Sequence, residues 1–381
     1  MSNYIEQSRF SRQSNHFGKD SVPTFWQRIH LDPWLLFLLF VTALFGLAIL
    51  YSASSQDMGM VIRQLISFVI AFVVMIMMAQ VPPSVYRNFT PFFYVGGVLL
   101  LVLVKVIGEV RLGAQRWINI PGFGSVQPSE FMKLGMPMLC AWFLSKRELP
   151  PNIVTVLITL AAIGLPVLLI AEQPDLGTSI LVASSGLFVL FLAGLPWWMI
   201  GGAIALFIPF VFVAWEYLLH DYQRKRVLTL LDPEADALGA GWNIMQSKTA
   251  IGSGGLTGKG YLEGTQSHLH FLPEGHTDFI IAAFSEEFGL IGVSLLMFLY
   301  ACVLFRALYI AFSNTNVYGK LLSGAIAMSF FVYVFVNAGM VSGILPVVGV
   351  PLPFISYGGT ALITLMAGFG LIMSIASHDR H

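Results

Sequence analysis

The chain has 381 residues, 56% of them hydrophobic and 10% charged, and its 20 basic and 20 acidic side chains cancel to a net charge of zero. So few charged groups cannot cover a water-soluble globule of this length, which excludes a soluble enzyme, and the zero net charge argues against a nucleic-acid partner. Cys140 and Cys302 both fall in apolar runs, so neither a structural disulfide nor a CxxC metal or redox motif is expected.

Residues 1–32 are polar, and no small-residue cleavage site follows the first apolar run, so that run is expected to remain as an anchor. Ten segments are apolar enough to cross a bilayer core of ~30 Å. They are 34–51, 64–81, 91–107, 127–144, 153–171, 179–195, 199–219, 278–304, 321–341 and 362–376. Arg9, Arg12, Lys19 and Arg28 precede the first and place the N-terminus in the cytoplasm, and ten crossings return the C-terminus, with Arg380, to that side. Lys146, Arg147, Arg306 and Lys320 then lie in cytoplasmic loops. Arg111, Arg116 and the run Arg224-Lys225-Arg226 lie outside, and positive charge retained there points to an anionic ligand. The expected fold is an all-α integral membrane protein of one domain.

Most loops are short, but residues 220–277 form a long extracytoplasmic one between the seventh and eighth spans. Its apolar and aromatic residues favour an ordered, folded-back loop, with short amphipathic helices at 224–231 and 242–250. Loops 111–126, 172–178 and 342–360 share its side of the membrane. No internal repeat marks a transporter built from two related halves.

The chemistry concentrates in these outer loops. Asp278 closes Glu274-Gly-His-Thr-Asp278 at the mouth of the eighth span, where a carboxylate is costly unless paired, hydrated or used; the plain alternative is a helix N-cap. Glu286 and Glu287, two turns further on, suit pairing with a buried cation. Gln127-Pro-Ser-Glu130 carries ordinary helix-start signals, yet Lys133 lies on the same face as Glu130, a turn deeper, where a cation requires a counter-ion. Arg116, beside Trp117, adds an outward cation, and Asp175 in Glu172-Gln-Pro-Asp175 reads either as a capping residue or as a group that orders a ligand. Gly252-Ser-Gly-Gly-Leu-Thr-Gly-Lys-Gly260 imitates a phosphate loop but has Ser253 for its first glycine and Gly260 for the hydroxyl residue. His268, His270 and His276 lack the surrounding pattern of a zinc site, and no HExxH, GxSxG or dinucleotide fingerprint occurs.

Taken together, the motifs resemble the SEDS family of bacterial cell-wall polymerases (shape, elongation, division, sporulation). They are His30-Leu-Asp-Pro33, Gly113-Ala-Gln-Arg-Trp117, Gln127-Pro-Ser-Glu130, Gln173-Pro-Asp-Leu-Gly-Thr-Ser179, Leu230-Leu-Asp-Pro233, Leu272-Pro-Glu-Gly-His-Thr-Asp-Phe279 and the run from Ile344 to Gly359. Their order and spacing carry the match, and Val347-Val-Gly-Val-Pro351 is similar to the elongation members. The resemblance implies a ten-span glycosyltransferase of the inner membrane that polymerises lipid II into β-1,4 glycan strands on the outer face during cell elongation. Undecaprenyl pyrophosphate is released. It further implies Asp278 as general base, Arg116 and Lys133 offsetting pyrophosphate charge, Glu130 positioning Lys133, and Asp175 and His276 ordering the site. No cofactor is required, although a divalent cation at the pyrophosphate is compatible with the chemistry. A class B penicillin-binding transpeptidase and other elongation-complex membrane proteins are the implied partners. A lipid II flippase and a non-catalytic scaffold are the rival readings.

Overall fold

The computed structural model describes residues 25–111, 114–120, 124–236, 239–265 and 274–378. His268, His270, Arg380, Gly113 and the basic residues of the N-terminal tail before Arg28 lie outside them. After a single turn at Phe25–Arg28, the chain forms α1 (Pro33–Ala53), α2 (Met58–Gln80) and α3 (Pro83–Ile107). A small sheet follows, made of β1 (Glu109–Arg111), β2 (Ala114–Ile120) and β3 (Gly124–Val126). The chain continues with α4 (Pro128–Leu144), α5 (Ile153–Ala171), α6 (Leu176–Leu192) and α7 (Trp197–Val213). Next come α8 (Asp221–Leu231), α9 (Ala240–Gly254), α10 (Ile280–Ser313), α11 (Val317–Val341) and α12 (Gly359–His378).

Short polar residues start the helices. Asp32, Asp57, Asn152, Asp175 and Asn316 each accept a backbone N–H in the first turn of the helix that follows. Pro33, Pro83 and Pro128 occupy first helical positions, where a missing N–H costs nothing. These signals explain why α2 and α3 begin before the apolar segments that start at residues 64 and 91: the Asp57 cap starts α2 ahead of Arg63, and Pro83 at the first position starts α3 ahead of Arg87.

Among the described residues eight helices are long and apolar enough to cross a bilayer, and α6 is a shorter apolar one. Their outer faces carry exposed Phe, Leu, Ile and Val, the pattern of a bundle solvated by hydrocarbon. α7 buries no residue at all. The core forms where α12 packs on α2, α10 on α11, α3 on α4, and α6 on α5 and α11.

Three departures from the sequence expectation bear on the site. First, the chain is not wholly helical: β1, β2 and β3 pair antiparallel in that order, with Glu109 opposite Trp117 and Ile118 opposite Val126. Second, residues 342–358 are not a surface connection. Ile344 and Gly349 are exposed, but Val350 and residues 352–356 are buried in the bundle, where the Tyr300 hydroxyl donates to the Pro353 carbonyl at 2.6 Å. Irregular backbone at that depth is tolerated because the protein itself meets its polar groups. Third, α10 is broken at Gly289, whose φ of 62° is open to glycine and costly for other residues. The segment after α9 fills the break: Lys259 and Gly260 donate their N–H groups to the carbonyls of Glu286 and Glu287, and the N–H groups of Leu290 and Ile291 reach Gly255 and Leu256. The stretch resembling a phosphate loop is therefore a structural plug.

The buried Glu286 accepts from Lys259 Nζ at 2.6 Å and from both the N–H and the hydroxyl of Thr265, while Glu287 accepts from the Ser52 hydroxyl at 2.5 Å. Pairing with a cation, expected for one of the two, is realised at Glu286. At the other end of the bundle, Arg306 forms a two-pronged ion pair with Asp32, at 3.0 and 2.6 Å, fastening α10 to the start of α1.

Candidate active site

Asp278 does not cap a helix. α10 starts two residues later with Phe279 in the cap position and no side-chain hydrogen bond there. Among the described residues none donates to the Asp278 carboxylate. Its main chain, by contrast, is held firmly: the buried Asn337 of α11 donates to the Asp278 carbonyl at 2.8 Å and to the Val350 carbonyl at 2.7 Å. On the preceding turn, the His276 carbonyl accepts from Tyr357 N–H at 3.0 Å and the Thr277 carbonyl from the Ser356 hydroxyl at 2.5 Å. The carboxylate is thus presented by a fixed backbone, and among the described residues no side chain or N–H engages its oxygens. Burial pushes its pKa up from 3.8 to about 6; the nearby Glu274 carboxylate raises it further, and the Arg226 guanidinium opposes the rise.

The buried loop joins this turn to the other outer pieces. A Cβ on Gly349 would stand 3.4 Å from Asp278 Oδ2, and one on Gly177 would stand 2.6 Å from the Val348 carbonyl, so both glycines permit close approach. Residues 347–350 therefore lie between Asp278 and the first turn of α6. Arg226, from α8, donates to the Val347 carbonyl at 2.7 Å and is the cation within electrostatic reach of Asp278. Its own pKa is lowered by burial and by the like charge of Arg116.

Arg116 and Asp175 meet at the turn between α5 and α6. Arg116 Nε donates to the Gln173 carbonyl at 3.0 Å, and its terminal nitrogen to the Pro174 carbonyl. β2 places it there, because the antiparallel pairing turns the chain back over that turn. Asp175 caps α6 by accepting from Thr178 N–H at 3.2 Å, and its other oxygen accepts from Gln127 at 2.9 Å. The capping reading of Asp175 is realised, and the same carboxylate ties α4 to α6. Tyr222 of α8 donates its hydroxyl to the Ala171 carbonyl at 3.0 Å and completes the ring of contacts.

Glu130 and Lys133 sit apart from Asp278. They form a buried pair at 2.5 Å, with the ammonium 5.4 Å from the centre of the Tyr333 ring. Tyr333 lies within electrostatic reach of both Glu130 and Asp175, so the pair adjoins the α6 cap. The second oxygen of Glu130 and the Ser129 hydroxyl are buried without a hydrogen bond. The structure thus brings Asp278, Arg226, Arg116 and Asp175 into one electrostatic cluster, leaves Lys133 neutralised by Glu130 at its margin, and draws on His276 through its carbonyl. Arg226 was not singled out from the sequence. The signal was the run Arg224-Lys225-Arg226; what separates its members is the face of α8, since Arg224 turns back to the Glu216 carbonyl and Lys225 pairs with Asp236 at 3.2 Å.

Residues 33–381 match the family of cell cycle proteins FtsW, RodA and SpoVE. The chain belongs to that FtsW/RodA/SpoVE family. Over 357 residues it is 52% identical to the peptidoglycan glycosyltransferase MrdB of Escherichia coli K12, a match covering 94% of this chain and 96% of that one. Stage V sporulation protein E of Bacillus subtilis is 34% identical over 367 residues, covering 91% and 98%. A solved chain from work on the coordination of polymerization and crosslinking by a peptidoglycan synthase complex superposes with a TM-score of 0.79 at 29% identity, covering 91% of this chain and 97% of that one. The rod shape determining protein RodA of Thermus thermophilus gives 0.69 at 26% identity, covering 92% and 98%. Family membership and the apolar helices together make this FtsW/RodA/SpoVE protein a multi-pass membrane protein.

Proposed function

We propose that this chain is a peptidoglycan glycosyltransferase that polymerises lipid II on the outer face of the cytoplasmic membrane, with ten crossings and both termini in the cytoplasm. The observation that carries the catalytic reading is the Asp278 carboxylate, which no described residue engages by a hydrogen bond, held on a fixed backbone within electrostatic reach of the Arg226 guanidinium. The identity to MrdB supports the reaction class.

Asp278 takes the proton from the 4-hydroxyl of an acceptor GlcNAc as that oxygen attacks C1 of a donor MurNAc. The β-1,4 bond forms with inversion while the bond from C1 to the pyrophosphate oxygen breaks, and the electron pair leaves with undecaprenyl pyrophosphate. A carboxylate held at about 6 is more basic than a free one, yet still mostly ionised at neutral pH, which suits a general base. Arg226 and Arg116 supply positive charge where the pyrophosphate, already dianionic in the donor, gains a further negative charge as it leaves. Lys133, already neutralised by Glu130, stiffens the junction of α4, α6 and α11. No nucleotide or redox group is needed, because the donor carries its own leaving group. Among the described residues no three His, Cys, Asp or Glu side chains cluster closely enough to hold a metal. A divalent cation would therefore take its ligands chiefly from the pyrophosphate. The expected partner is a class B penicillin-binding transpeptidase, in keeping with the synthase complex that the fold resembles.

The test is polymerisation of purified lipid II by the chain with its transpeptidase, comparing wild type with Asp278→Asn at equal folding and complex formation. Glycan from wild type alone supports the proposal. Glycan persisting in the variant removes Asp278 as the base, and none from either protein returns the flippase and scaffold readings.

A further inference from the structure

At the end of the bundle opposite Asp278, a recess of about 520 Å³ opens between the start of α3, the last turn of α4, the start of α11 and the end of α12. Its polar lining includes Arg87, Lys146, Ser84, Asn88, Asn316 and His378, and among the described residues no carboxylate lines it. Arg87 is half-buried, and among the described residues it forms neither an ion pair nor a hydrogen bond. Lys146 is likewise unpaired and lies 3.7 Å from the centre of the Trp142 ring, an arrangement suited to headgroup depth. The two helix ends differ: Asn316 closes α11 by accepting from Tyr318 N–H at 3.0 Å, whereas α3 starts at Pro82 with no side-chain cap; Pro82 and Pro83 carry no N–H and the Val85 N–H bonds to the Pro82 carbonyl, which leaves Ser84 as the N–H donor of that turn at the recess.

Two cations that form no ion pair among the described residues, facing a polar recess that no described carboxylate lines, favour an anion there. Its position at a helix end rimmed by Trp142 favours one delivered from the membrane. We propose that this recess binds a phosphate group, presented by the headgroup of an anionic lipid in the cytoplasmic leaflet. Arg87 engages the phosphate oxygens, Lys146 adds charge at the rim, and Asn88 and Ser84 contact the glycerol side. The site rests on the membrane topology and is independent of glycan polymerisation.

The test is native mass spectrometry of the full chain in detergent, titrated separately with phosphatidylglycerol, phosphatidylcholine and inorganic phosphate. One phosphatidylglycerol is expected to bind about tenfold more tightly than phosphatidylcholine. Arg87→Gln and Lys146→Gln, each checked for unchanged melting temperature, should weaken it about fivefold apiece. Lys320→Gln, which removes a cation from the same end but outside the recess, should leave it unchanged. Equal affinity for the two lipids, or an equal loss on Lys320→Gln, overturns the site as non-specific surface attraction. Inorganic phosphate binding as tightly as phosphatidylglycerol overturns its assignment to a lipid. Should one recess variant fail to fold, the other decides.

Discussion

Replacing Asp278 by asparagine should make the protein more stable while abolishing its activity. The folded protein holds this carboxyl at about 6 against an ordinary value of 3.8, a difference worth about 3 kcal/mol between the two protonation states. Partial exposure of the side chain screens the effect, and about 2 kcal/mol is the magnitude expected in practice. Between about pH 4 and pH 6 the folded state binds more protons than the unfolded one. The wild type therefore loses this stability as pH rises through that window and loses no more above it. Asparagine does not titrate, so the stability gap between variant and wild type should open from about pH 4 to pH 6 and stay constant beyond. Thermal unfolding in detergent across this range, followed by tryptophan fluorescence, measures the gap. A variant no more stable than wild type at neutral pH, or a difference that does not vary with pH, would refute the reasoning that burial raises this group.

Polymerisation by the wild type should rise with pH to a plateau above about 6; Arg226→Ala should move that midpoint upward, since the guanidinium holds the Asp278 pKa down, and lower the plateau about a hundredfold. A pH profile of initial rates with lipid II checks both. Lys133→Ala leaves Glu130 ionised and unpaired in the bundle and should cost about 3–5 kcal/mol, whereas Glu130→Gln with Lys133→Met should recover most of the melting temperature. Gly289→Ala forces a side chain into a backbone of φ 62°, with its Cβ 2.4 Å from Gly258 N. It should cost at least about 1–3 kcal/mol and loosen the 255–260 plug, seen as faster hydrogen exchange there.

The membrane helices were legible because apolar runs of sufficient length have few alternative uses, and the caps at Asp32, Asp57 and Asn316 mark where they begin. The two helices of the long loop were legible from spacing alone and extend as 221–231 and 240–254. The sheet at 109–126 was not, since its strands are short and its alternation in Arg116-Trp-Ile-Asn-Ile120 is brief beside its apolar surroundings. Gly289 gave no warning either: a glycine in Phe288-Gly-Leu-Ile-Gly292 is ordinary in a membrane helix, and only the carbonyls and N–H groups of residues 255–260 give it its role. At the candidate site, Asp278 stands out in the sequence through the cost of a carboxylate at that depth. Arg226 was not found, because its relation to Asp278 runs through residues 347–350, more than a hundred positions along the chain.

The break in α10 also decides what sets the height of Asp278. A continuous helix would carry the carboxylate up or down as its apolar length adjusts to the lipid around it. Here Glu286 and Glu287 are bonded to the 255–260 segment, and Asn337 holds the Asp278 carbonyl, so the proposed base takes its level from protein contacts. Because Leu290 and Ile291 are tied to the same segment, thinning or thickening the bilayer by a few ångströms is expected to tilt α10 beyond Ile291 before it disturbs the surroundings of Asp278. Polymerisation is therefore expected to vary little between bilayers of different acyl-chain length.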